Sequence, residues 1–318
     1  MTLRIATTGW EAPLEVIAAQ AAQAGYEGLQ WGVPAGSEGT LKTVLDRHGL
    51  KLAASCAGGT FLDPATRQQE IDEAVAEARR LKALGAEVLE MMCGLRPVGG
   101  PSESQLLAYA DGLNEVGRRC RELGVRVGVH NHGVLFLESQ TEIDFLYRHL
   151  DPELVGTGFD TGHLALAGMD AAAVFRQYAG RTAYVHLKDL FLVDRPAGES
   201  DRVMAFDEVV SLAERSDLYT WLVLRDLDGR QLVLGGGKLG HDYLRDHREL
   251  IRGVRCCDLA EYQFAEIGHG GLVDFPSVLA ALEGAGFDGW LAVELDVSYR
   301  TRYESARMSR EHLRSLGV

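Results

Sequence analysis

The sequence predicts an α/β fold, a (β/α)8 TIM barrel, on three observations. Short apolar runs alternate with longer amphipathic stretches along nearly all of the 318 residues. Eight of those runs read as strands, and strand–helix alternation implies parallel strands covered by helices. Finally, His130, Asp160, His186 and Glu294 fall at the C-terminal ends of strand candidates five to eight. A doubly wound open sheet has the same periodicity. There the four polar residues would spread along an edge, whereas in a barrel they ring one mouth.

In chain order the strand candidates are LRIATTG, GLQWGV, LKLAASC, AEVLEMMC, VRVGVHNH, LVGTGFDTG, TAYVHLKDL and WLAVELD. Between them lie helical patterns of period 3.6, such as PLEVIAAQAAQAG and FPSVLAALEGAG, which often stop at Gly as helix C-caps do. One segment breaks the rhythm. Residues 191–263 form a long excursion after strand seven, with a helical piece (FDEVVSLAERS), a hairpin (YTWLVLRDLDGRQLVLGGG, turning at LDG) and a charged stretch. The chain reads as a single barrel domain, residues 1–318, with 191–263 inserted at the catalytic face. That insertion is a candidate lid or subunit contact, with a plain surface elaboration as the competing reading.

A net charge of −14 argues against nucleic acid as the main partner, because phosphate backbones recruit a surplus of Lys and Arg. No apolar run approaches the roughly 18 residues a membrane span needs. The N-terminus shows no signal-peptide pattern. Five cysteines without CxxC spacing read as thiols of a reducing compartment, so the expected location is cytoplasmic. LGGGKLG (234–240) lacks the spacing of a phosphate loop and reads as a hairpin exit.

Asp160, His186 and Glu294 each interrupt or end an apolar strand. Carboxylates and imidazoles are ligands for divalent ions, and several carboxylates buried together call for a cation between them. Taken alone, Asp160 before Thr-Gly is more often a helix cap, and a single His at a strand end is more often structural. Three at successive strand ends make a metal site the sharper reading.

The stretches FDTGHLALAGMD, YVHLKDL and GHGGLVDFPSVLAALEGAGFDGWLAVELD resemble the xylose isomerase-like barrels, nearest to the sugar-phosphate isomerase/epimerase and inosose dehydratase group. The opening TTGWEAPLEVIAAQAAQAGYEGLQWGVP is similar too, so the likeness covers the chain outside the insertion. It implies one divalent ion (Mn²⁺, Co²⁺, Mg²⁺ or Zn²⁺) held by Asp160, His186 and Glu294, with His163 turned toward substrate. The fourth position departs from the group: isomerases and epimerases mostly carry Glu where this chain has His130. Glu138, in the following loop, is the alternative fourth ligand.

Two ligand carboxylates on opposite faces of a substrate suit epimerisation. Replacing one by His favours one-sided chemistry, in which Glu294 removes the proton α to a carbonyl and an ion stabilises the enediolate. His132, His163 or Lys188 is then the acid that helps a β-hydroxyl leave. The resemblance therefore implies dehydration of an inosose-like keto-polyol, with sugar or sugar-phosphate isomerisation or epimerisation as the alternative. A non-catalytic sugar-binding barrel is the remaining reading. Lys188 also reads as a structural partner of Asp189 or Glu294. Glu266 and His269 are expected in supporting positions near the mouth, and Trp31 and Phe136 either wall the substrate or pack the core. Barrels of this kind commonly pair, which makes a homodimer an expectation.

Overall fold

The structure is a computed structural model that describes residues 3–217, 219–235, 242, 244–246, 248, 249, 251, 253–294 and 298–318. Eight parallel strands close into a barrel: β1 (Arg4–Thr8), β2 (Gly28–Gln30), β3 (Lys51–Gly58), β4 (Val88–Met92), β5 (Arg126–Val129), β6 (Val155–Asp160), β7 (Thr182–Leu187) and β13 (Trp290–Val293). β13 closes the ring by pairing with both β7 and β1. Seven of these strands fall within the predicted runs, and β3 overruns LKLAASC by two residues, to Gly58. Helices cover the outside, and those over Leu14–Ala24 and Glu38–His48 end on left-handed Gly25 and Gly49. A closing helix, Arg302–Ser315, begins with a capping box between Thr301 and Glu304.

Successive side chains of a strand alternate between faces, so every second residue points into the barrel. Here the inward set contains many small residues. Ala6, Ala54 and Ala292 cluster around Tyr184 and Trp290. Gly128 and Gly158 pack so closely that a Cβ on either would press on the other's backbone at 3.2–3.3 Å. Small side chains low in the barrel leave room above them for Gln30, Glu90 and His186, all buried.

The run TAYVHLKDL is not one strand. It breaks at Lys188, whose backbone N–H donates to Thr161 Oγ1 (2.9 Å) and whose carbonyl accepts from the same hydroxyl (2.8 Å). β7 stays in the barrel, while β8 (Asp189–Asp194) leaves it to start a second sheet. That sheet runs from Asp189 to Ala265, slightly wider than the predicted 191–263. It contains β9 (Val203–Met204), β10 (Trp221–Asp226), β11 (Gln231–Gly235) and β12 (Val254–Ala265) in the order β11-β10-β12-β8, with β9 on β12. The β10–β11 hairpin turns at Gly229 as predicted. The sheet has its own apolar cluster, including Leu222, Leu224, Leu234 and Leu259, packed with Val209 of the helix Phe206–Arg215. Residues 236–240 of the expected hairpin exit lie outside the described residues. No described helix is long and apolar enough to cross a membrane.

Asp189 ties this excursion back to the barrel. Its carboxylate accepts from the N–H groups of Leu190, Gly268, Gly270, Gly271 and Val273 at 2.8–3.2 Å. The Gly-rich turn is required for that grip, since Gly268 and Gly271 have φ of +79° and +85°, and a Cβ on Gly270 would lie 2.5 Å from the Leu190 carbonyl oxygen. Asp189 thus serves the turn and not Lys188. Asp189→Asn would face an amide NH₂ toward backbone donors, and we expect a loss of about 2–4 kcal/mol in urea unfolding. Unchanged stability would contradict this anchoring role.

Candidate metal and catalytic site

Asp160 is both a helix cap and a member of the mouth cluster. Its Oδ1 accepts from the N–H groups of Gly162 and His163 (2.8 and 3.0 Å), starting the short helix Thr161–Leu166. Its Oδ2 turns the other way, into the barrel mouth, where it makes no formed hydrogen bond. The two readings of this residue are two oxygens of one carboxylate.

His130, Asp160, His186 and Glu294 each present one donor atom to a common point, all within 4.8 Å of one another. His130 Nε2, Asp160 Oδ2, His186 Nδ1 and Glu294 Oε2 are all buried without a well-formed hydrogen bond. Their closest mutual approach is His186 Nδ1 to Glu294 Oε2, 2.9 Å. Such a set, two imidazoles and two carboxylates, fits a borderline divalent ion.

Lys188 is a cation set against this cluster. It is fully buried, with Nζ 3.2 Å from Asp160 Oδ2, 3.1 Å from Glu294 Oε2 and 3.2 Å from His163 Nε2. Burial pushes the Asp160 carboxyl up, against the pull of Lys188. Burial acts the same way on Glu294, but Lys188 and His186 outweigh it and hold that carboxyl well below its usual range. For His186, burial opposes the charge, yet Glu90 and Glu294 raise the imidazole to about 9.

Beneath the cluster lies a residue that the sequence reading missed. Glu90 of β4 is buried, with Oε1 3.1 Å from His130 Nδ1 and 3.4 Å from His186 Nε2. Gln30 sits beside it, donating from Nε2 to Glu90 Oε2 (2.6 Å) and facing His186 Nε2 with Oε1 (2.6 Å). The available signal was a lone carboxylate at an inward position of the apolar run VLEMM.

The other predicted residues divide. His163 is closed in, its Nδ1 accepting from Gly133 N–H (3.3 Å) and its ring 3.6 Å from that of His132. It meets the mouth through Nε2, toward Lys188, and through its ring, edge-on to that of His130 at 6.2 Å. The second sheet completes this box: Trp221 lies 5.5 Å from His163, and Phe264 lies 5.0 Å from it and 4.7 Å from Lys188 Nζ. His132 stacks behind His163 and does not belong to the cluster of donor atoms.

Glu138, the alternative fourth ligand, does not reach the mouth. It accepts from Val134 N–H (2.8 Å) and faces Arg96 at 4.0 Å, bracing the loop after β5. Phe136 is likewise buried, edge-on to Tyr109, and walls nothing. Glu266 binds Ser298, Ser305 and Arg300, and His269 is exposed on the Gly-rich turn. Trp31 does line the hollow at the mouth. This space of about 540 Å³ is bordered by Trp10, Gln30, Trp31, Cys56, Glu294 and Arg302. Cys56 is no nucleophile there, since desolvation and then Glu90, Glu77 and Glu294 push its thiol up to about 11.

Fold and cluster together define a parallel barrel with a group of donor atoms gathered at its C-terminal mouth. The family model for the xylose isomerase-like TIM barrel matches residues 18–228, and the chain belongs to that family. Among curated relatives, an inosose dehydratase of Lacticaseibacillus casei is 28% identical over 308 residues, covering 91% of this chain and 85% of the relative. The inosose dehydratase of Geobacillus kaustophilus is 26% identical over 289 residues, covering 86% and 77%. A 3-keto-D-glucoside 4-epimerase from E. coli superposes with a TM-score of 0.65 at 12% identity over 99% of this chain and 100% of that one. The IOLI protein with a bound zinc atom superposes with a TM-score of 0.63 at 14% identity, covering 98% and 97%.

Glu138 makes a stability prediction. Burial raises its carboxyl to about 7, against the pull of Arg96 and the Val134 N–H. The folded chain thus binds this proton more tightly than the unfolded chain, whose group titrates near 4.5. That contribution is complete below 4.5 and is lost as pH rises through 7. Glu138→Gln keeps an acceptor for Val134 and removes the titration. Its melting temperature relative to wild type should climb by a few degrees between pH 5 and 8; a constant difference would exclude the effect.

Proposed function

We propose that this chain is a divalent-metal-dependent lyase that dehydrates an inosose-like keto-polyol. The carrying observation is the asymmetry of the mouth. Glu294, its side chain 23% exposed, is the one cluster carboxylate open to the hollow. Asp160 is tied down as a helix cap, and the strand-five position holds His130, not a second carboxylate. A divalent ion held by His130, Asp160, His186 and Glu294 would polarise a substrate carbonyl and stabilise negative charge that develops on its oxygen.

The chain's own groups supply the rest. Glu294 is kept ionised by Lys188, as a base for the proton α to the carbonyl must be. Across the cluster, Lys188 and His163 form a buried pair of nitrogens 3.2 Å apart, positioned to donate toward a departing β-hydroxyl. His132 buttresses His163 from behind. Trp10 and Trp31 offer apolar surface to the C–H face of a ring, while Phe264 and Trp221 keep water from the Lys188–His163 pair. The naming of two relatives as inosose dehydratases supports this reading, and the zinc of the IOLI protein supports the ion.

Two measurements test it. Plasma mass spectrometry after Mn²⁺ loading should find about one equivalent in wild type and much less in Asp160→Ala. NMR in D₂O with inososes and ketoses should show loss of water from a keto-polyol, cut at least 100-fold in Glu294→Gln. Exchange or inversion at the α-carbon without water loss would identify an epimerase or isomerase instead. Wild-type protein that takes up no ion would remove the basis of the lyase reading.

A further inference from the structure

The interior beneath the mouth carries a second inference, which rests on the reading of the four-residue cluster as an ion site. We infer that Glu90 and Gln30 are positioning residues that fix the tautomers of both cluster imidazoles, so that His130 offers Nε2 and His186 offers Nδ1.

The argument follows the polarity of one carboxylate. Ionised Glu90 can only accept. Its Oε1 lies 3.1 Å from His130 Nδ1, so that nitrogen carries the hydrogen and Nε2 keeps its lone pair. Its Oε2 lies 2.6 Å from one terminal atom of Gln30, which must therefore be the amide NH₂. The Gln30 oxygen is thereby turned to His186 Nε2 at 2.6 Å, so Nε2 keeps its hydrogen and Nδ1, facing the mouth, is the nitrogen that yields its proton to an incoming ion. Both freed nitrogens, His130 Nε2 and His186 Nδ1, are buried without a well-formed hydrogen bond. One buried acid thus determines which atom each ring presents, through Gln30 in one case and directly in the other. The two rings, 4.9 Å apart, ligate through different nitrogens. Partners of this kind raise ligand basicity as well as orienting the ring, and their loss usually weakens metal affinity 10–100-fold.

Glu90→Gln keeps the shape but lets a donor face His130 Nδ1 or the Gln30 amide. Gln30→Leu removes only the link to His186, and Glu90→Asp retains the carboxylate. Zinc affinity at pH 8 is measured by competition with a chromophoric chelator. ¹⁵N-histidine spectra of the zinc-loaded protein read which nitrogen is bound. We expect wild type to show one Nε2-bound and one Nδ1-bound ring. Glu90→Gln should bind zinc 10–100-fold more weakly, Gln30→Leu about tenfold more weakly, and Glu90→Asp should recover part of the loss. Wild-type zinc affinity in both Glu90→Gln and Gln30→Leu, or two rings bound through the same nitrogen, would overturn the tautomer clamp while leaving the ion site standing. No zinc on wild type would bring down both. Should Glu90→Gln fail to fold, Gln30→Leu and the wild-type spectra decide the question alone.

Discussion

Burial of charge is the constraint around which this molecule is organised. Glu90, Asp160 and Lys188 are fully buried, with Glu294 at their edge, above a barrel interior of Ala, Gly, Val88, Tyr184 and Trp290. An isolated ionised group in such surroundings would be far too costly, so each must find a counter-charge and donors. Lys188 serves Asp160 and Glu294 together, and the two imidazoles stand between Glu90 and the mouth carboxylates. Removing any one leaves another uncompensated. The cluster therefore behaves as a unit, and effects of single substitutions within it should not add.

The second sheet belongs to that account. Its core is its own, but Trp221 and Phe264 project from it onto His163 and Lys188. Their rings lower the local dielectric where the ammonium and imidazole meet, which strengthens every charge interaction there. The Asp189 grip on the Gly-rich turn holds the ends of β8 and β12 beside the barrel. A charged residue next to Lys188 in sequence thus stabilises the wall that covers Lys188, without touching it.

Much of this was legible in the sequence because two periodicities are robust. The 3.6-residue helical pattern and the apolar strand runs located all eight barrel strands, and the strand-end rule brought His130, Asp160, His186 and Glu294 to one mouth. What escaped reading depended on contacts between distant segments. Glu90 sits mid-strand in an apolar run and looked incidental, because its meaning comes from Gln30, His130 and His186, 60, 40 and 96 residues away. Lys188 ends β7 because Thr161 caps both its backbone groups, which no local pattern announces. Glu138 was a candidate ligand by its place in the loop after strand five; only the fold shows it turned toward Arg96.

The imidazole of His130 has consequences on both sides of the ring. Toward substrate, on the lyase reading, Glu294 is the one carboxylate left to act as base. Toward the interior it adds a nitrogen that needs an acceptor, and Glu90 provides one. A glutamate at position 130 would instead set two carboxylates 3 Å or so apart in a dry interior, where they cannot both stay ionised. His130 and Glu90 are thus a matched pair. Symmetric, two-base chemistry at this mouth would require changing both, since His130→Glu alone puts an acid where the barrel already holds one.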